Sequence, residues 1–158
     1  MRYCFCLLLS AFLAGPAWGQ QPAPASITAL VGQLAQSVGA ALPEAPLKEA
    51  RRTLPQARQR FARGLPAGAQ LYLTARVLNE AAVPAPVVVR VTSWESGQVA
   101  GQVVRPEADG RSAAAAFAEF DEAAILDWAI LRANGAEDGN YLGKFLELEE
   151  RLAALSAH

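Results

Sequence analysis

Phe120 to Phe145, FDEAAILDWAILRANGAEDGNYLGKF, is the stretch whose reading decides the fold. Asp121 sits where an N-cap would start a short helical turn running to Leu126. Beyond it, two periods compete. Trp128, Ile130 and Arg132 alternate as in a strand, while Ile125, Leu126, Ala129 and Arg132 also fit a helix. We read Asp127 to Ala133 as a strand. Asn134-Gly135 and Asp138-Gly139-Asn140 are turn signals. A last helix starts at Tyr141, and its amphipathic part, Gly143 to Ala154, is expected to turn Phe145, Leu148, Leu152 and Leu155 inward.

Upstream of this stretch the period is two. Gln70 to Leu78 sets Leu71, Leu73, Ala75 and Val77 against Gln70, Tyr72, Thr74 and Arg76, which predicts a half-buried strand with Tyr72 and Arg76 on a polar face. Val87 to Trp94 and Val99 to Val104 flank the turn residues Glu95-Ser96-Gly97-Gln98 and read as a hairpin. Arg105 to Ser112 is a loop. Ala113 to Phe120 is a fourth strand on this reading, although its alanines suit a helix equally well.

Further back the period is helical. Ser26 looks like an N-cap for a helix carrying Ile27, Leu30, Val31, Leu34, Val38 and Leu42, ended by Gly39 or Pro43. Pro46 to Arg63 is a second helical region. We expect it to divide at Thr53-Leu54-Pro55, with Thr53 capping a new helix, because proline costs little in a first turn and much in a helix interior. Leu54, Ala57 and Phe61 would face inward and the arginines outward.

The N-terminus reads as a secretory signal. Arg2 precedes an apolar run from Cys4 to Leu13, and Ala17-Trp18-Gly19 supplies small residues at cleavage-type positions. Cleavage before Gln20 leaves an exported, bacterial chain, periplasmic or extracellular, with no transmembrane segment. Both cysteines leave with the signal, so the core must hold the protein together without disulfides. The domain organisation is therefore 1–19 signal peptide, 20–45 leader and amphipathic helix, and 46–158 a single domain. A hydrophobic fraction of 53% is enough for a core. The formal charge of -1 argues against a nucleic-acid binder. Lys48, Arg51, Arg52, Arg58, Arg60 and Arg63 cluster early and the acids gather after Glu119, which reads as a basic helix face meeting an acidic surface of the same domain. The order of elements gives an α+β fold: N-terminal helices, an antiparallel sheet of about four strands, and a C-terminal helix packed on one sheet face.

Some of these residues resemble a known family. Glu49-Ala50-Arg51-Arg52-Thr53-Leu54, Ile125-Leu126-Asp127-Trp128, Gly139-Asn140-Tyr141 and Lys144-Phe145-Leu146 are similar to the bacterial family known only as domain of unknown function 2314. The likeness spans residues 47 to 148. It departs in the middle, where Trp94-Glu95 and Gly110-Arg111 replace the family's usual pairs. The family carries no established activity, so the resemblance implies a fold and no chemistry.

Little chemistry is available to the mature chain. The one histidine is His158 and no cysteine remains, which disfavours a nucleophilic hydrolase or a zinc site. No phosphate-binding loop follows a strand, and no cofactor is expected. Two weak catalytic candidates are Glu95 and Asp127, which, with Glu137 and Asp138, could meet across the sheet as acid and base on a glycosidic bond. The plainer account is that Asp127 accepts backbone hydrogen bonds and Glu95 is a solvated turn residue. Asn134 to Asn140 lacks the ligand spacing of a calcium loop. For binding, the candidates are Trp94, Trp128, Asn134, Asp138 and Tyr141, since aromatics beside loops stack on ligands or partners. The leading expectation is a non-catalytic module that binds an envelope protein or small ligand with its open sheet face and the loops around Trp94 and Asn134 to Tyr141. The alternative is a carboxylate-dependent hydrolase acting on an envelope polymer.

Overall fold

The structure is a computed structural model in which residues 24–37, 39–78, 83–106 and 112–157 are described. The expected signal peptide, most of the expected leader, Val38 and the Gly110-Arg111 pair lie outside them.

The elements run α1 (Ala25–Gln36), α2 (Glu44–Ala62), β1 (Gln70–Leu78), β2 (Pro84–Glu95), β3 (Gln98–Pro106), β4 (Ser112–Asp121), a single 3-10 turn (Glu122–Ala124), β5 (Ile125–Leu131), β6 (Glu137–Gly139) and α3 (Tyr141–Ser156). The fold is α+β, as the sequence predicts. The sheet has six antiparallel strands rather than four, in the order β4-β3-β2-β1-β5-β6. Three consecutive hairpins build its first half. β5 then returns to the free edge of β1, pairing Leu73 with Trp128 and Thr74 with Asp127. The turn signal at Asp138-Gly139-Asn140 overlaps the short strand β6, in which only Glu137, Asp138 and Gly139 pair, against Leu131, Ile130 and Ala129. Three residues are too few to show a period. Ala113 to Phe120 is a strand despite its alanines, since pairing to β3 overrides helix propensity.

Both faces of the sheet are covered, which corrects the expectation of one covered face. α2 lays Ala57, with Leu54 and Phe61, on Leu71, Leu73, Val89, Val91 and Ile130. α1 lays Ile27, Leu30, Val31 and Leu34 on the other side, against Tyr72, Val88, Val104, Ala129 and Leu131. Tyr72 is therefore buried, not outward, and its hydroxyl donates to Gln70 Oε1 at 2.6 Å. Central strand β1 is buried on both sides from Leu71 to Ala75. Alternation in sequence does not separate core from solvent when the second face has its own helix. Arg76 is exposed, as predicted. What remains open of the α1 face lies toward β4, where Arg90 donates to Gln102 and Phe117 is 61% exposed.

Two helix expectations are corrected as well. α1 starts after Pro24, so Ser26 lies inside it and is not its cap. α2 is continuous through Pro55 and does not divide. Thr53 turns its hydroxyl back to the Glu49 carbonyl, at 2.9 Å, instead of forward to a new first turn. The arginines of α2 are exposed, as expected.

The largest correction concerns α3. Leu142 is fully buried and Leu146 packs partly beside it, but the helix then leaves the core. Leu148, Leu152 and Leu155, expected inward, are 55%, 54% and 73% exposed.

Candidate functional site

Most of the residues singled out by sequence converge where β5, β6 and the start of α3 meet. Asp127 is 1% exposed. One of its oxygens accepts from the Trp128 amide at 2.7 Å, and the other from the Leu142 amide at 2.7 Å. The first amides of a helix lack internal partners and sit at the positive end of its dipole. Asn140, the residue in N-cap position, does not satisfy them with its own side chain. Asp127 does so from the neighbouring strand. Burial pushes its pKa up to about 6, against the opposing pull of the Leu142, Trp128 and Tyr141 amides.

Trp128 lies on the opposite side of β5. It is buried, donates through Nε1 to Thr53 Oγ1 at 3.1 Å, and meets the half-buried Tyr141 ring edge-on at 6.0 Å. Gly139 makes this junction possible. Its φ is +79°, and a Cβ there would stand 2.3 Å from the Trp128 carbonyl oxygen and 2.7 Å from the Trp128 ring. Gly143 is held to glycine by packing alone, because a Cβ would stand 2.4 Å from Asn140 Oδ1.

Asp138 is the charged member. It faces Arg60 from α2 at 2.9 Å and Arg132, the residue after β5, at 2.6 Å. The Arg132 hydrogen bond, helped by Arg60, holds its carboxyl below the usual range. Beside it Glu137 pairs with Lys144 at 3.5 Å. Farther along α2, Arg58 reaches Glu122 at 3.1 Å. The basic helix face thus meets acids of the later chain, as the charge pattern predicts. Asn134 is exposed and accepts from the Ala136 amide at 3.0 Å, a local turn contact.

Trp94 and Glu95 belong elsewhere. Trp94 was a binding candidate on the assumption that it flanks an open loop. It is instead 7% exposed, tilted against Phe61, and its Nε1 donates to Glu122 at 3.1 Å. Glu95 is a solvated residue at the end of β2, before the tight turn at Ser96 and Gly97. Asp127 is level with Thr74, which is level with Val88. From Val88 to Glu95 the strand advances roughly 20 Å. Glu95 and Asp127 therefore do not form an acid-base pair. Glu137 and Asp138 are likewise turned to basic partners. Among the described residues no cluster of acids, histidines or cysteines could hold a metal ion.

Sequence reasoning passed over Arg60, Arg63 and Arg132 as site residues. Arg60, in the last turn of α2, and Arg63, at its C-cap, follow the other exposed arginines of the helix, and only the fold brings them opposite β5. Comparison with family models, with curated proteins and with solved structures returned no match. Among the described residues no helix is long and apolar enough to cross a membrane.

Proposed function

We propose that this chain is an exported, non-catalytic module that binds a partner protein in the bacterial envelope through the outer face of α3. The observation that carries the reading is the exposure of Leu148, Leu152 and Leu155, which share one face at helical spacing. Leaving such a row in water forgoes burial worth about 1.5 to 3 kcal/mol for each leucine. Glu147, Glu149 and Glu150 border it with only Arg151 among them. The complementary partner is an apolar groove with a basic rim, engaging the helix through anchors one turn apart.

Export rests on Arg2, the Cys4 to Leu13 run and the small residues before Gln20. Membership of the domain of unknown function 2314 family is proposed on the Ile125 to Trp128 and Gly139 to Tyr141 pattern, whose residues are those that lock β5 to α3. The hydrolase reading has the weaker support. Its best acid, Asp127, has both oxygens engaged by backbone amides, and the others are paired or solvated.

The test is affinity capture. Residues 20–158 serve as bait in a bacterial envelope extract, beside Leu148→Glu and Leu152→Glu variants. One protein recovered in near-equal amount and lost with either variant is the expected result. Recovery of nothing, or of the same protein by both variants, would overturn the reading.

A further inference from the structure

Between the last turn of α2 and the β5–β6 hairpin lies an open cleft of about 420 Å³. That size is within the range of small-molecule sites. Three arginines line it: Arg60 from the last turn of α2, Arg63 at its C-cap, and Arg132 just after β5. Leu65 and Ile130 provide apolar walls, and Asp138 is the one carboxylate. The lining therefore keeps a net positive charge, although the carbonyl end of α2 offsets part of it.

The two arginines on Asp138 are held in place without being used up. A guanidinium has five N–H donors in a rigid fork, and Arg60 and Arg132 both direct theirs to the same oxygen, Asp138 Oδ2. Each side chain stays 48% exposed. Arg63 makes no side-chain hydrogen bond or ion pair among the described residues. A carboxylate that fixes two arginines beside a third, over an apolar floor, presents a pre-set array of donors. Such forks match the paired oxygens of carboxylate and phosphate groups.

We propose that this cleft binds a small organic anion, its carboxylate or phosphate headgroup held by Arg60, Arg63 and Arg132 and its apolar body laid on Leu65 and Ile130. The site shares no residue with the leucine face of α3, so the two readings stand or fall separately.

Calorimetric titration of the full chain tests it, with hexyl phosphate, hexanoate and hexanol as probes. One or both hexyl anions bind saturably and hexanol does not. Whichever anion binds more tightly identifies the headgroup as phosphate or carboxylate. Arg63→Ala weakens that binding by roughly tenfold or more, with an unchanged melting temperature because Arg63 has no partner to lose. Arg132→Ala weakens it too, while Leu148→Glu leaves it intact. The proposal is overturned if neither anion saturates, if hexanol binds as well as they do, or if Arg63→Ala binds like the parent chain.

Discussion

Asp127 Oδ2 accepts the amide proton of Leu142 at 2.7 Å, fifteen residues farther along the chain. A strand residue thereby caps a helix whose own N-cap residue does not. The arrangement has a cost and a sign. Its pKa is about 6 in the fold against 3.8 for the free side chain, so between these values the native state binds the extra proton. Stability from this group is fully present below pH 3.8 and is lost as pH rises through about 6. Integrated over that window the loss is about 3 kcal/mol. Asp138, whose pKa is lowered, slopes the other way, so the parent chain must be compared with Asp127→Asn. Urea titrations from pH 4 to pH 7 should show the parent losing stability relative to the variant. Parallel curves would refute the assignment.

Thr53 and Trp128 form a second buried long-range polar contact of this region. Thr53→Val keeps the shape but leaves the indole N–H without its acceptor, at a cost of about 1 to 3 kcal/mol. In Trp128→Phe the N–H is gone, so adding Thr53→Val should then cost much less. A double-mutant cycle by chemical denaturation measures the difference. Additive effects would mean that the two side chains are not coupled.

Gly139→Ala should be among the most damaging single changes outside the central core. It combines a left-handed backbone with contact against the Trp128 carbonyl and ring. We expect a loss of about 2 to 4 kcal/mol. Gly135→Ala is the control: its φ is +82° but nothing stands within 4 Å of a Cβ, so it should cost about 1 kcal/mol. Equal melting shifts for the two would show that the contact does not matter.

Two leucines of α3 should behave oppositely. Leu142→Ala removes a fully buried side chain and should cost about 2 to 5 kcal/mol. Leu152→Ala, on the exposed face, should stay within about 0.5 kcal/mol. A large loss at Leu152 in thermal denaturation would mean that the isolated chain already covers that face.

Pro55 offers a change in the favourable direction. It lies inside α2, removes an amide from the helix ladder and is exposed. Pro55→Ala should raise the melting temperature, the proline penalty in a helix interior being about 3 kcal/mol. An unchanged or lower melting temperature would show that α2 needs its proline.

The sequence made the strands from Gln70 to Val104 and the faces of α1 and α2 legible, because local periodicity and turn residues specify them. The Asp127 cap was within reach, since a lone acid before a tryptophan in an apolar run is buried and needs donors. Its actual donor, Leu142, depends on how β5 and α3 meet. Tyr72 was misread because alternation reports chemistry along one strand and not which face a remote helix will cover. The outward leucines of α3 were misread for a related reason. A helical apolar stripe states that a face is covered somewhere, and among the described residues only its start, at Leu142 and Leu146, is. The arginine cleft was illegible because Arg60 and Arg132 lie far apart in sequence and share only Asp138.

The position of β5 also orders events in time. β1 to β4 join neighbours in the chain, so their hairpins close short loops and can form early. β5 must span the whole meander to reach β1, and only when it arrives does Asp127 stand where α3 can begin and Trp128 where Thr53 can receive it. On loop-closure grounds, we expect the start of α3 to be secured only after β5 has docked on β1. A nascent chain released before Leu142 emerges would carry β5 paired to β1 but with the buried Asp127 short of one of its amide donors.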